Sequence, residues 1–248
     1  MPMIVLVTDF GTSGPYIGQL KAVLASEASG VPVIDLFSDL PAYDIKPAAY
    51  LLAAYSQTFP DDTVFLCVVD PGVGSNSRLP VVLRANNHWF VGPDNGLLNC
   101  LVKDYSEAQC WQIDWVPEKL SATFHGRDLF APVAASLARG EKPAGPVLED
   151  SRCLKNDWPV NYPAVVYIDY FGNVLTGIHA KSISDDDRIN IAGEQLEYSR
   201  TFSDVSPGQL FWYRNANGLI EVAANQASAA VRLGVHIGDE VVICEAKV

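Results

Sequence analysis

Positive charge is scarce in this chain. Its 248 residues hold 17 Lys and Arg against 29 Asp and Glu, a formal net charge of -12. No Lys/Arg cluster could neutralise a run of phosphates, which argues against a nucleic-acid partner. Charge of either sign is modest, at 19% of residues, while 49% are apolar, so the chain buries a core and is not disordered. Long hydrophobic runs are missing: the stretch from Ala48 to Tyr55 is far short of the roughly 20 residues a membrane helix needs, and no membrane partner is expected. The opening MPMIVLVTDF has no basic segment and meets Asp9 after a short apolar run, which reads as a buried strand and not a secretory leader. The five cysteines (Cys67, Cys100, Cys110, Cys153, Cys244) form no CxxC pair. They read as reduced cytosolic thiols, and a cytoplasmic location is expected. GxGxxG, GxxxxGK[ST], GxSxG, HExxH and EF-hand patterns are all absent, so dinucleotide, P-loop, serine-hydrolase, zincin and calcium-loop readings lack their motifs. A small-molecule partner remains, and a cationic one suits the acid excess.

What is present begins as alternating strand and helix signals. Ile4 to Thr8 is a compact apolar strand, and from Tyr16 to Ser26 the residues Ile17, Leu20, Val23 and Leu24 recur at helical spacing. Val33 to Phe37 predicts a second strand, Ala48 to Ser56 a helix following Pro47, and Val64 to Val69 a third strand. Strands this uniformly apolar are covered on both faces of a sheet. Val81 to Leu83 and Trp89 to Val91 flank Asn86-Asn87 as a hairpin. A helix is expected after Gly96 and another from about Gly126 to Ala138. Between Arg139 and Trp158 the chain turns to Gly, Pro and charge, which marks a boundary. Beyond it, Ala164 to Tyr167, Arg188 to Ile191, Gln209 to Tyr213 and Val241 to Ile243 read as short strands between Gly, Asp and Asn turns, an all-β part. The expected division is residues 1–150, α/β, and 151–248, β.

Ligands of open α/β sheets bind outside the carboxyl ends of the strands. Three such ends carry acids: Asp9, Asp39 and Asp70. Each could instead cap a loop or a following helix. Asp70 opens Asp70-Pro71-Gly72-Val73-Gly74, whose glycines let backbone approach a ligand or take positive φ. A second cluster, Thr123-Phe124-His125-Gly126-Arg127-Asp128, precedes an apolar helix and presents His125 at a loop-to-helix junction, where an imidazole can act near neutral pH. His88, His179 and His236 read as structural, and Arg127 with Asp128 as an internal ion pair or a helix N-terminal acid.

Six segments in register carry a wider likeness: Thr8 to Gly11, Val69 to Gly74, Gly92 to Leu98, Thr123 to Asp128, Asp169 to Asn173, and Glu221 to Ser228. Together they resemble the S-adenosylmethionine (SAM) hydroxide adenosyltransferase family, relatives of the fluorinases and chlorinases, across nearly the whole chain. The resemblance implies a Rossmann-like N-terminal domain, a C-terminal β-barrel domain, and a homotrimer with SAM held between one subunit's N-terminal domain and its neighbour's C-terminal domain. The implied reaction is attack of water or hydroxide on ribose C5′, giving adenosine and L-methionine without cofactor or metal. The water-activating Asp, Arg and His map onto Asp70, Arg78 and His125. Asp9 matches the acid that grips the ribose hydroxyls, while Phe124, Phe171, Asn173 and Asn225 fall in segments around the adenosyl group. A sulfonium departs as a neutral thioether, so the displacement needs an oriented water and no acid on the leaving group. Asp70 or His125 can accept its proton, Arg78 can hold hydroxide character, and Tyr43 joins Phe124 and Phe171 as an aromatic surface for adenine.

This chain departs from the family at three places. Ser77 stands where family members commonly carry the Arg, Gly14 where they carry an acid, and Ala216 where a Ser is expected. Asn217 or Asp169 is left to hold the methionine end. Three other readings remain: a 5′-halogenase, which a carboxylate beside the nucleophile disfavours; a non-catalytic SAM-binding protein; and a magnesium-dependent phosphatase using Asp9, Asp39 and Asp70.

Overall fold

The computed structural model describes residues 2–102, 108–149, 154 and 157–246, arranged in two compact units, 1–158 and 159–248. Cys153 and the boundary between residues 150 and 151 lie outside the described residues.

The first unit is a mixed α/β layer structure on a seven-stranded sheet. Strand β1 (Ile4–Thr8) is buried along its whole length and pairs in parallel on both edges, with β2 (Val33–Phe37) and with β3 (Val64–Val68). Its apolar run from Ile4 to Val7 fits a strand with both faces covered. Beyond β3 lies β5 (His88–Pro93), parallel to it, then β4 (Pro80–Ala85), β6 (Gln109–Gln112) and β7 (Val147–Leu148), all antiparallel to their neighbours. β4 and β5 form the expected hairpin: Asn86 and Asn87 both take positive φ, 47° and 59°, as a two-residue primed turn requires. The order β2-β1-β3 means the chain leaves β1 in one direction and returns on the other side, placing a switch point between β1 and β3.

Helix α1 (Tyr16–Glu27) packs Leu20 and Leu24 onto α3 (Ala131–Ala138), whose Ala134 and Ala135 let the two helices share one core with Ile4, Leu6 and Leu66. Helix α2 (Ile45–Tyr55) starts two residues before Pro47, not after it. Proline is tolerated there because the first turn's N–H groups lack helical partners anyway. The helix expected from Gly126 is a widened π turn, Gly126–Phe130, running into α3. Pro132 has no N–H for the carbonyl of Asp128 and its ring would crowd that carbonyl in a regular turn. Among the described residues Gly96 is followed by a 3-10 turn, Asn99–Val102, in place of the expected helix; all four of its residues are buried.

The second unit is antiparallel β. Strands β8 (Tyr162–Ile168), β9 (Val174–His179), β12 (Leu210–Arg214) and β13 (Leu219–Ala224) make one sheet, ordered β12-β13-β9-β8. β10 (Arg188–Ile191), β11 (Glu194–Leu196) and β14 (Val241–Cys244) make another, ordered β11-β10-β14. Among the described residues no continuously closed barrel is formed. Isolated bridges, Ala164 to Glu240 and Tyr198 to Trp212, join the sheets' outer edges. Val165, Ile189, Trp212 and Val222 share the core between them, beside the short helix α4 (Ala229–Leu233). Among the described residues no helix is long and apolar enough to cross a membrane.

Candidate functional site

The switch point opens into a cleft of about 290 Å³. The segment after β1 contributes Asp9 and Phe10, and the segment after β3 contributes Asp70 and Val73. Tyr16 comes from the start of α1, Tyr43 from the β2–α2 loop, and Thr123 to Gly126 from the segment before α3. Two glycines make this meeting possible. At Gly74, with φ +80°, a Cβ would lie 2.3 Å from the Ala122 carbonyl, so the two loops touch backbone to backbone only with glycine there. At Gly126 a Cβ would press to 3.1 Å from the Phe10 ring.

Asp70, Arg78 and His125 are brought together. The side chains of Asp70 and Arg78 are each 4% exposed, and Arg78 grips the carboxylate with Nε on Oδ1 at 3.1 Å and Nη2 on Oδ2. The same Nη2 lies 3.1 Å from His125 Nδ1. A guanidinium only donates, so Nδ1 accepts and the neutral imidazole carries its proton on Nε2. Burial lowers the His125 pKa first and the Arg78 charge lowers it further, against the upward pull of Asp70 and Asp128, which keeps the ring neutral. Arg78 also packs over Phe130, 5.6 Å from its centroid. Position 78 thus supplies the cation that meets Asp70, while Ser77 bonds to Ser75 in the intervening turn.

Asp9 accepts the backbone N–H of Tyr43 at 2.9 Å, and burial raises its pKa above the ordinary carboxylate value. Tyr43 takes φ 65°, an uncommon conformation for a residue with a side chain, and is 77% exposed at the cleft mouth. Phe124 packs edge-on against Phe10 and Tyr16, with centroids 5.7 and 5.4 Å away. Sequence reasoning missed Phe10 and Tyr16, because an aromatic beside an apolar strand or at a helix start reads as core. Asp39 does not line the cleft, and among the described residues no group of three or more His, Cys, Asp or Glu is placed to hold a metal.

The remaining candidates lie in the second unit. Asp169, Phe171 and Asn173 line a cleft of about 630 Å³ with Phe202, Tyr213, Glu221 and Ser228. Asp169 ties its own turn: Oδ1 accepts from the backbone of Phe171 and Asn173 at 2.9 and 2.8 Å, and Oδ2 from Asn173 Nδ2 at 2.9 Å. That turn leaves Tyr170 97% and Phe171 73% exposed. Asn225 is not among the lining residues; its amide donates to the Val205 carbonyl at 2.7 Å. Glu221, 5% exposed, accepts from Tyr213 and, at 3.0 Å, from Asn215, and burial raises its pKa. Its motif is visible in the sequence, but nothing there separates a strand glutamate that is buried from one that is solvated.

Residues 4–145 match the SAM hydroxide adenosyltransferase N-terminal domain and residues 163–242 the C-terminal domain of the same family. The chain is 37% identical to the (R)-S-adenosyl-L-methionine hydrolase of Salinispora arenicola, over 96% of each protein. It is 25% identical to the fluorinase of Nocardia brasiliensis, over 96% of this chain and 95% of that one. The crystal structure of an uncharacterized conserved protein from Thermotoga maritima superposes with a TM-score of 0.87 at 34% identity, covering 98% of this chain and all of that one. With both domain descriptions matched in order along one chain, this protein belongs to the SAM hydroxide adenosyltransferase family.

Proposed function

We propose that the protein hydrolyses SAM at ribose C5′, giving adenosine and L-methionine. The observation that carries this reading is the buried Asp70–Arg78–His125 chain at the wall of a cleft that also holds Asp9. Water attacks C5′ opposite the sulfur, the C–S bonding pair leaves with sulfur, and the cationic sulfonium becomes neutral methionine thioether. One proton is released from the water. With His125 Nδ1 taken by Arg78, Asp70 is the better acceptor: its two oxygens retain lone pairs beyond those Arg78 occupies. His125 then orients the water from its Nε2–H, and Arg78 supplies fixed positive charge for the developing hydroxide. Asp9 takes the ribose diol, which its two acceptor oxygens fit. Loss of a good neutral leaving group needs neither metal nor cofactor.

The N-terminal unit is read as the family's Rossmann-like domain and the C-terminal sheets, linked by edge bridges, as its barrel. The two units act as separate domains. The assembly is a cytoplasmic homotrimer in which the adenosyl group lies between the Asp9 cleft of one subunit and Phe171 and Asn173 of the next. Two exposed aromatics at the tip of a tightly tied turn support this, since they present apolar surface at little entropic loss. Asn225 holds the loop at Val205, and Asp169 keeps the turn's shape.

The test is turnover of (R)- and (S)-SAM by purified protein, in chelator and in excess halide, with mass measured in solution. Adenosine and methionine in equal amounts from a trimer support the reading. Tight binding without turnover favours a SAM-binding protein, and activity lost in chelator favours the metal-dependent alternative.

A further inference from the structure

Arg127 and Asp128 follow the cleft residues in the chain, yet neither lines the cleft. Asp128 accepts from Arg127 Nε at 2.6 Å and Nη2 at 3.0 Å, and its Oδ2 accepts the backbone N–H of Ser121 at 2.9 Å. The carboxylate therefore ties the end of the 121–128 segment back to its beginning. Arg127 donates from Nη1 to Gln19 Oε1 of α1 at 2.8 Å, and its guanidinium lies 5.0 Å from the centre of the Phe124 ring. Phe124 is thus held between Arg127 and the Phe10–Tyr16 pair. Three anchors on separate partners close on the few residues that carry Phe124 and His125. With side chains 33% and 14% exposed, such an ion pair contributes little net stability on its own. Its effect is geometric.

We propose that Arg127 and Asp128 are positioning residues: Arg127 clamps the Phe124 ring, and Asp128 closes the loop that presents His125. This rests on the cleft being the site of SAM hydrolysis. Arg127→Lys keeps the charge but loses the planar fork and the stack on Phe124. It is expected to raise KM for SAM about tenfold, the size of a small misplacement of a contact group, with Tm within a few degrees of native. Asp128→Asn is expected to raise KM similarly and to move the His125 ring titration, followed by NMR, to lower pH. Of the charged groups around that ring, Asp70 and Asp128 favour protonation and Arg78 opposes it, and Asp9 shares its cleft. Should Asp128→Asn not fold, Gln19→Leu removes only the outer anchor of Arg127 and is expected to raise KM by about twofold to threefold.

Native KM and a native His125 titration in the folded variants would overturn the proposal, as would a lowered Tm with both unchanged. If the native protein itself turns over no SAM, the functional reading fails. The NMR titration of Asp128→Asn still decides whether the pair sets the surroundings of His125.

Discussion

In the N-terminal unit the buried carboxylate of Asp70 meets a guanidinium and, through it, an imidazole. In the C-terminal unit the buried carboxyl of Glu221 meets a phenol and an amide. Both clefts have acids in the wall and aromatics at the rim, but the partners differ in kind. A guanidinium keeps its charge at every working pH, so the first cleft has a fixed positive charge next to a neutral imidazole. The second satisfies its acid with neutral donors, and burial favours the protonated form of Glu221. Under the proposed function, chemistry on the charged substrate accordingly falls to the first and shape recognition to the second.

The contrast breaks most sharply at Asp70. Asp70→Asn should lower kcat about a hundredfold and, by leaving Arg78 buried without its counter-charge, destabilise the fold by about 3 to 5 kcal/mol; steady-state kinetics and denaturant titration measure the two separately. His125→Ala should lower adenosine release by roughly tenfold or more. In the native protein, kcat/KM should fall as pH drops through a pKa below the ordinary histidine value of about 6.5, because protonation removes the Nδ1 acceptor and sets imidazolium beside Arg78. That limb should vanish in the alanine variant, and a limb persisting there would remove His125 from the account. Phe171→Ala should raise KM about fivefold with kcat nearly unchanged, as the loss of one stacked ring would; a change in kcat alone would place Phe171 in the chemistry. Glu221→Gln keeps a hydrogen-bonding terminus of the same shape and should change kcat/KM by less than about twofold. If it costs as much as Asp70→Asn, the two clefts do not differ as described. At the small end, Arg188→Ala breaks the exposed pair with Glu197 and should shift stability by about 0.5 kcal/mol or less.

Five of the seven strands of the N-terminal sheet were legible because their physics is local; β6 and β7, only four and two residues long, were not. Five-residue apolar runs predict strands covered on both faces, which holds for β1 and β3 but not for β2 at the sheet edge, where Ile34 and Asp35 are exposed, and Asn86-Asn87 predicts the hairpin that joins β4 to β5. The π turn before α3 was not, since it depends on how Pro132 accommodates Asp128 within a packed helix start. The C-terminal strands were only partly visible: β9 and β13 carry Thr176 and Glu221 inside apolar runs, residues that are paired only once the sheet exists. At the site, strand-end position singled out Asp9 and Asp70 but also Asp39, which does not line the cleft, and the loop-to-helix junction singled out His125; Arg78 came from the family resemblance alone. Phe10, Tyr16 and Glu221 gave no such sign. An aromatic or a strand acid becomes a site residue through its neighbours, and those neighbours lie far away in sequence.

The most direct measurement is turnover in heavy-oxygen water containing excess chloride and fluoride, with the products resolved by mass. Attack by water held at Asp70, Arg78 and His125 predicts label in the 5′-hydroxyl of adenosine and none in methionine. Unlabelled adenosine, or a 5′-halonucleoside as the main product, would contradict it.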